Sequence, residues 1–364
     1  MFVGGAESML VSLVNGFDRD TLTPVVLSLS SPGDLERRID PAIRILHAPR
    51  AWKYDRSPET RIAQAIEAED IQTVLTLGMF SYMFLRRALK ARPSTRVFLW
   101  LHTTRPRTVK EFLHTAAYAR LVRKGDTMVT VCENQARYLS KLYAIPRRKF
   151  LTIYNGVDNS RWTSAPPSFD REQFRADLGI PPGTPMIVQV AHFRREKRQD
   201  DAVRALAIVH QRSPLKPVLV FVGGGEERLR NGVRDLASGL GISASVRFCG
   251  PQADPLPFYW AADLFTLSSR SESFPMTVLE ALATGLPSVM TDLGGAREVI
   301  EDGVNGAIAR PADPHSLASA WRRVLDTPAA YDRQQIRENA RQRFSLRRCV
   351  ESYQHLLCPE GRTR

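Results

Sequence analysis

Cysteine and long apolar runs are both scarce in this chain. Its four cysteines, Cys132, Cys249, Cys349 and Cys358, show no metal-type spacing, so we expect buried thiols in a reducing cytoplasm. No run of about 18 apolar residues occurs, and no basic segment followed by an apolar run opens the chain, which predicts neither a membrane span nor a signal peptide. We therefore expect a cytoplasmic protein.

The remaining composition is typical of a folded, water-exposed protein. Of 364 residues, 43% are hydrophobic and 24% are charged. This length allows two domains of ordinary size, each with its own core.

Positive charge is concentrated in the first half. Residues 1–165 carry 25 Lys and Arg against 15 Asp and Glu, whereas residues 166–364 carry 26 against 23. A basic face can bind nucleic acid, an anionic phospholipid surface or diphosphate-linked lipid, or only solvent. Aromatic residues do not interleave with the basic ones and no nucleic-acid module is recognisable, so nucleic acid is not expected.

Apolar strand patterns alternate with helical patterns, which predicts α/β units around parallel sheets. The predicted strands are 24–29, 73–77, 97–101, 127–131 and 150–153 in the first half, and 186–190, 218–222, 246–248, 264–267 and 287–290 in the second. The proline-bearing stretch 158–185, with a short helix near 171–178, is the predicted linker. Residues 331–357 are helical in pattern.

The segment SSRSESFPMTVLEALATGLP, residues 268–287, is the most informative part of the chain. We expect a strand to end before it, Pro275 to lie in the first turn of a helix, and Glu272 and Glu280 to flank that helix start. Free N–H groups at a helix N-terminus bind phosphate. The alternative is that both glutamates have structural roles. Thr277 and Glu280 also match the pattern of a helix capping box, and Glu272 can be a solvated loop residue.

This segment resembles the Glu-x7-Glu motif of retaining, nucleotide-sugar-dependent glycosyltransferases of the GT-B fold, family 4 (glycosyl transferases group 1). The resemblance implies that Glu272 lies against the transferred sugar and that Glu280 holds the ribose hydroxyls. It also implies donor contacts from the residues between them, namely Phe274, Pro275, Met276 and Thr277.

The loop HFRREKR, residues 192–198, resembles the family loop whose Arg and Lys contact the donor diphosphate. Lys197 matches the family Lys. The family Arg usually follows a Gly, and Ala191 and His192 occupy those two positions here, so Arg194 is favoured, with His192 as a neighbour. Cations there would stabilise the charge that develops on the leaving diphosphate. The alternative is a solvated basic turn.

Two glycines and one later segment complete the donor side of the resemblance. Gly224, in FVGGGEE, matches a Gly-rich turn of the family, and Gly250 follows the strand VRF that lines the base in relatives. The segment 292–306 resembles the family ending, and we interpret it as mostly structural.

The first half contributes Gly4, Gly5 and His102. Gly4 and Gly5 resemble a loop whose amides approach the donor phosphate, but only three residues precede it, so the first strand of the domain is expected to be missing. His102 matches a cleft-facing His of the family that could hydrogen-bond the sugar or the acceptor. A strand-end His is otherwise more often a satisfied polar group.

The resemblance implies a GT-B fold, with two Rossmann-like domains facing across a cleft and a C-terminal helix crossing back to the first. The predicted boundaries are 1–165, 166–340 and 341–364. The implied activity is retaining transfer of a sugar from a nucleoside-diphosphate sugar, without a metal or an organic cofactor, in polysaccharide, lipopolysaccharide or glycolipid biosynthesis.

The expected partners are the donor and a glycan or lipid-linked acceptor. An anionic membrane surface facing the basic first domain, at the inner face of the membrane, stays open as a further partner. Two alternatives stay open as well: a nucleotide-sugar epimerase of the same fold, and a non-catalytic basic protein that binds nucleic acid or membranes.

Overall fold

A computed structural model describes residues 5–52, 55–90, 94–104 and 109–358. The chain divides into two compact units, Met1–Gly156 with Leu346–Arg364, and Val157–Ser345. The division therefore falls after residues 156 and 345, whereas the boundaries predicted from the sequence fall after 165 and 340.

Parallel strands form two sheets in the described part of the first unit. β1 (Val25–Ser28) pairs with β2 (Arg44–His47). A four-stranded sheet has the order β3 (Thr73–Leu77), β4 (Arg96–Leu101), β5 (Thr127–Thr130) and β6 (Phe150–Thr152). The helices of this unit that precede residue 157 are α1 (Gly5–Gly16), α2 (Ser57–Ala68), α3 (Gly78–Ala88), α4 (Val109–Ala119) and α5 (Glu133–Leu142).

The core of the first unit lies between β4 and the helices around it. Leu99 and Trp100 on β4 are fully buried, and α3 buries Tyr82 and Phe84 against the sheet. Burial on both faces explains why β4 is apolar from Val97 to Leu101.

The second unit has one six-stranded parallel sheet in the order β12-β11-β10-β7-β8-β9. Its strands are β7 (Met186–Val190), β8 (Val218–Val222), β9 (Val246–Phe248), β10 (Leu264–Leu267), β11 (Ser288–Thr291) and β12 (Gly306–Ala309). Its helices are α6 (Arg171–Asp177), α7 (Gln199–Arg212), α8 (Glu227–Gly239), α9 (Leu256–Ala261), α10 (Met276–Ala283), α11 (Ala296–Val299), α12 (Pro314–Leu325) and α13 (Arg333–Phe344).

This strand order creates a switch point between β7 and β10. From β7 the chain builds outward through β8 and β9 on one side, and from β10 it builds through β11 and β12 on the other. The loops that follow β7 and β10 leave the carboxyl ends of adjacent strands in opposite directions, which opens a crevice in doubly wound sheets. The basic motif at residues 192–198 follows β7, and the motif with Glu272 follows β10.

The helical stretch predicted for 331–357 is interrupted. α13 ends at Phe344, Ser345 is extended, and α14 (Leu346–Leu357) belongs to the first unit. There Tyr353 packs against the ring of Trp100, with 5.2 Å between centroids. A Cβ on Gly16 of α1 would lie 2.8 Å from Val350, so the small residue allows α14 to approach α1.

Ten strands predicted from the sequence are present, and two others, β2 and β12, were missed. β2 (RILH) is partly exposed, and β12 (GAIA) begins with a glycine, so neither shows a strong strand pattern. Among the cysteines, Cys132 and Cys349 are buried as predicted, but Cys358 is exposed. No helix among the described residues is long and apolar enough to cross a membrane.

Candidate active site

A contact between Lys197 and Glu272 joins the two loops at the switch point. The Lys197 ammonium lies 2.7 Å from Oε1 of Glu272. Ser269 donates to the same carboxylate oxygen at 2.5 Å. The side chains of Lys197 and Glu272 are 23% and 10% exposed, so the pair is shielded from water but reachable from the crevice.

Hydrogen bonds to the backbone hold these loops in register. Ser268 Oγ donates to the carbonyls of Lys197 at 3.0 Å and Arg198 at 2.8 Å. The amide of Arg270 donates to the carbonyl of Glu196 at 2.8 Å. The Lys197–Glu272 contact therefore lies between two loops whose backbones are hydrogen-bonded to each other.

Arg198 takes up an unusual backbone conformation at the end of this turn. Its φ of +49° lies in the left-handed region, which costs energy for a residue with a Cβ. Two hydrogen bonds from its guanidinium to Asp201, at 2.9 and 2.7 Å, hold it there. Strain of this kind persists where the surrounding structure fixes it, and it is common at functional sites.

Glu280 lies on α10 and binds a buried tyrosine. Tyr259 donates its hydroxyl to Oε2 of Glu280 at 2.9 Å. Burial raises the pKa of Glu280 to about 7, against the smaller opposing effects of the Tyr259 hydrogen bond and the Arg161 charge. A carboxyl group that titrates near neutrality is poised to respond to a ligand hydroxyl.

The capping-box alternative for Glu280 is wrong. α10 begins at Met276, and its N-cap is Pro275, which provides no side-chain cap. Thr277 is therefore inside the helix, and Glu280 bonds to Tyr259 instead of to the helix start. Pro275 lies just before the helix rather than in its first turn, because its ψ of 126° is extended.

The residues between the two glutamates differ in accessibility. Phe274 is 4% exposed and its ring packs on Phe344, with centroids 5.5 Å apart, and Pro275 is also buried. Met276 and Thr277 are half-buried at the start of α10. In this structure Phe274 supports the loop from within the core, while Met276 and Thr277 lie closer to the surface.

Gly294 fixes the backbone behind Glu272. Its φ is +55°, and a Cβ there would lie 2.4 Å from the carbonyl oxygen of Glu272 and 2.3 Å from that of Ser273. The next residue, Gly295, donates its amide to Ser273 at 2.7 Å. The glycine pair interpreted from the sequence as structural thus supports the candidate catalytic loop directly.

The remaining predicted donor residues surround the loop after β7. Arg194 is the N-cap of the short turn 195–197 and is half-buried, and His192 is exposed. Although much of the His192 side chain is exposed, partial burial of its ring, followed by the positive charges of Arg194 and Lys197, lowers its pKa. A neutral imidazole is therefore favoured beside these two cations.

Gly224 and Gly250 lie on neighbouring turns at the ends of β8 and β9. The carbonyl of Gly224 accepts from the amide of Phe193 at 2.7 Å, and the carbonyl of Gly250 accepts from Gly223 at 2.8 Å. A Cβ on Gly224 would approach only Pro251, at 3.7 Å. Local packing therefore does not require a glycine at position 224.

His102 follows the last residue of β4 in the first unit. The ring of Trp100 packs edge-on against it with centroids 4.3 Å apart. Burial lowers the pKa of His102 to about 3, so the imidazole is neutral. Its Nε2 atom is buried without a hydrogen-bond partner in the described part of the chain, and the residue lines a cavity of about 1210 Å³.

The structure says little about Gly4 and Gly5, the two glycines of the first unit that were predicted to bind the donor. Gly5 is exposed at the first residue of α1, and Gly4 lies outside the described residues. Within the described residues, no group of three or more His, Cys, Asp or Glu side chains could hold a metal ion.

Two family models match successive parts of the chain. Glycosyl transferases group 1 matches residues 170–343, and Glycosyltransferase Family 4 matches residues 3–161. Among curated proteins, a D-inositol 3-phosphate glycosyltransferase from Nocardia farcinica is 32% identical over 212 residues, which cover 57% of this chain and 46% of that protein. The equivalent protein of Actinosynnema mirum is 31% identical over 256 residues, covering 67% and 59%. The chain spans about half the length of the curated relatives it matches.

Solved structures show the same fold. Anabaena Alr3699/HepE in complex with UDP has a TM-score of 0.81 at 20% identity, covering 97% of this chain and 96% of that one. A glycosyltransferase from Rickettsia africae ESF-5 has a TM-score of 0.83 at 20% identity, covering 99% and 97%. The predicted GT-B fold is confirmed, and the chain belongs to the group 1 family of glycosyl transferases.

Proposed function

We propose that this protein transfers a sugar from a nucleoside-diphosphate sugar to an acceptor hydroxyl, with retention at the anomeric carbon. The observation that carries the proposal is the Lys197–Glu272 contact at the switch point of the second sheet, with Glu280 on the adjoining helix. The crevice at a switch point is the expected ligand site in open α/β sheets. Cation, carboxylate and helix start together suit a diphosphate joined to a sugar and a ribose.

Each part of the donor substrate, namely its diphosphate, ribose and sugar, has a candidate binding residue. Lys197 and Arg194 bind the diphosphate, Glu280 accepts hydrogen bonds from the ribose hydroxyls, and Glu272 orients the transferred sugar. Oε1 of Glu272 already accepts from Lys197 and Ser269, which leaves Oε2 for a sugar hydroxyl. Alr3699/HepE has been solved with UDP and with UDP-glucose, so uridine nucleotides are the first donors to test.

A front-face reaction fits this arrangement better than attack by Glu272. A carboxylate that is ion-paired with Lys197 and hydrogen-bonded to Ser269 is a weak nucleophile. In the proposed step the bond between the anomeric carbon and the phosphate oxygen breaks. The acceptor oxygen bonds to the same face, and the acceptor proton moves to the leaving phosphate oxygen. Lys197 and Arg194 stabilise the charge that develops on the diphosphate, so no metal ion is required in this proposal.

The acceptor is a glycan or lipid-linked molecule of polysaccharide, lipopolysaccharide or glycolipid biosynthesis. WaaG, which has the same fold with a TM-score of 0.72, is a glycosyltransferase involved in lipopolysaccharide biosynthesis. The excess of basic residues in the first half, 25 against 15 acidic, would favour peripheral contact with the anionic inner face of the membrane.

A panel of nucleoside diphosphates and their sugars tests the proposal. Because a ligand that binds only the native state stabilises it by mass action, the correct nucleotide should raise the melting temperature in proportion to the logarithm of its concentration. NMR of the glycosylated product then reads the anomeric configuration, and the assay is repeated with EDTA. If no nucleoside diphosphate raises the melting temperature, the proposed function is wrong; an inverted product would refute retention alone, and loss of activity in EDTA would refute metal independence.

A further inference from the structure

Only one oxygen of the Glu280 carboxylate is paired within the described part of the chain. Oε2 accepts from the hydroxyl of Tyr259 at 2.9 Å. Oε1 accepts no hydrogen bond from the described residues, and it is not one of the fully enclosed polar atoms. The side chain as a whole is half-buried. A ligand hydroxyl can therefore reach Oε1 but meets an occupied Oε2.

Asp263 is a carboxylate of the same unit that is paired on both oxygens. Its Oδ1 accepts from Arg171 at 2.6 Å, and its Oδ2 accepts from the Met186 amide at 2.8 Å and from Arg175. Burial raises the pKa of Asp263, but the Met186 amide and the neighbouring arginines outweigh it and keep the pKa lowered. A carboxylate that only holds the fold together is expected to be satisfied in this way. The open oxygen of Glu280 is better suited to a ligand.

The ring of Tyr259 is enclosed by two other aromatic rings. Tyr259 lies on α9 and is fully buried. Trp162 packs edge-on against it with centroids 5.3 Å apart, and Phe265 of β10 stacks on it at 5.7 Å. A buried tyrosine hydroxyl normally has a hydrogen-bond partner, and here the packed ring directs the hydroxyl to Glu280.

The hydroxyl remains a donor whether or not Glu280 is ionised. Burial, followed by the negative charge of Glu280, raises the pKa of Tyr259 well above its ordinary value of 10. The nearby cation is Arg161, which favours the ionised carboxylate and is itself paired with Asp254 at 3.2 Å. Oε2 is thus always an acceptor for Tyr259, and Oε1 is the oxygen that changes with its surroundings.

We infer that Tyr259 is a positioning residue that holds Oε2 of Glu280, leaves Oε1 for the ribose hydroxyls of the donor, and so makes the site select ribose over deoxyribose. The inference rests on the proposed function, since it states how Glu280 recognises that donor. Tyr259 acts through Glu280 and does not itself contact the donor. Ribose hydroxyls that donate to an ionised carboxylate form charge-assisted hydrogen bonds, and these depend on the orientation of the carboxylate.

Calorimetry on the complete protein tests the inference with UDP, ADP, GDP and CDP, each beside its 2′,3′-dideoxy analogue. The wild type should bind the ribonucleotide of the matching base at least about tenfold more tightly than its dideoxy analogue, because hydrogen bonds to a charged group are lost. Tyr259→Phe keeps the ring and removes the hydroxyl. It should lower this ratio at least about threefold, by weakening the ribonucleotide alone. An unchanged ratio, or equal weakening of both nucleotides, would overturn the inference.

Tyr331→Phe is the matched control. Tyr331 is a buried tyrosine of the same unit, and it lies near Arg323 and Asp302 rather than Glu280. Its variant should give the wild-type ratio between the ribonucleotide and the dideoxy analogue. An equal fall of the ratio in Tyr331→Phe and Tyr259→Phe would show that loosened packing causes the effect, and it would contradict the positioning role.

A second measurement needs no nucleotide. The hydrogen bond from Tyr259 favours the ionised form of Glu280, so its removal should raise the pKa of Glu280 above the wild-type value of about 7. Because stability is lost as pH rises through the folded-state pKa, the fall in unfolding free energy should extend to higher pH in Tyr259→Phe than in the wild type. Urea unfolding measures this, and the double variant Tyr259→Phe/Glu280→Gln should lack the effect. An unshifted curve would overturn the inference.

The two measurements separate the inference from the proposed function. If nucleotides bind the wild type but Tyr259→Phe changes neither the ratio nor the curve, the inference alone is wrong. If none of the four nucleotides binds while the curve shifts, the Tyr259–Glu280 contact is confirmed, but the proposed function and the ribose selection that depends on it are refuted.

Discussion

The candidate site residues of the two units differ in how their polar groups are paired. In the second unit, Lys197, Ser269 and Glu272 satisfy one another around a single carboxylate oxygen, and Tyr259 satisfies Glu280. In the first unit, His102 keeps a buried Nε2 without a partner among the described residues. Among these candidate residues, those of the second unit are therefore paired with one another, whereas the buried Nε2 atom of His102 in the first unit is not.

This difference leads us to expect that changes in the second unit affect the chemistry and that changes in the first affect acceptor binding. Preorganised polar groups act most strongly on charge that develops in the transition state. A group that meets only one substrate acts mainly through the KM for that substrate.

The largest effect is expected for Glu272→Gln. The amide keeps the shape but cannot neutralise the Lys197 ammonium at 2.7 Å. We expect kcat to fall at least about 100-fold, the size seen when a single preorganised group is removed, with little change in nucleotide affinity. Steady-state kinetics measures the first and calorimetry the second. A kcat within a few-fold of the wild type would place the chemistry elsewhere.

Glu280 should give the protein a measurable pH dependence. Burial raises its pKa to about 7 from the ordinary value of 4.5, so between these two pH values the folded state holds a proton that the unfolded state has released. The unfolding free energy is therefore lowered as pH rises from 4.5 through 7, by up to about 3 kcal/mol.

Glu280→Gln removes this titration. The wild-type protein should lose more stability than the variant between pH 5 and 8, as measured by urea unfolding at each pH. Because ribose hydroxyls donate to the ionised form, nucleotide affinity of the wild type should also rise over the same range. Parallel stability curves for the two proteins would contradict the assignment of this pKa to Glu280.

The smallest effect is expected for His102→Gln in the first unit. The loss of one hydrogen bond to the acceptor should raise the acceptor KM about three- to tenfold and leave donor affinity unchanged. Kinetics at varied acceptor concentration measures this. A fall in kcat as large as that of Glu272→Gln would break the proposed difference between the units.

Much of the second unit could be predicted from the sequence because its information is local. β7, β8, β9 and β10 have the predicted bounds, since each is a short and mainly apolar run, and β8 is apolar and buried throughout. The motifs with Lys197 and Glu272 follow two of these strands. A sheet with a switch point then brings the ends of two adjacent strands together.

The remaining features depend on tertiary contacts. The hydroxyl of Tyr259 reaches Glu280 across 21 positions of sequence, and no local pattern marks that pairing. Ser268 and Ser269 read as strand-breaking residues in the sequence, yet they hold Lys197 and Glu272 in place. The cavity of the first unit combines residues of eight helices and strands, so it forms only when the chain is folded.

The central claim is that Lys197 belongs to a nucleotide site and not to a solvated basic turn. Arg195 offers a matched control, because it is exposed in the same short turn and carries the same charge. Calorimetric titration of the best nucleoside diphosphate into Lys197→Gln and Arg195→Gln tests the claim most directly. We predict that Lys197→Gln weakens binding at least about tenfold, as for loss of a charge-assisted contact, and that Arg195→Gln binds like the wild type. Equal Kd values for the two variants would contradict the account.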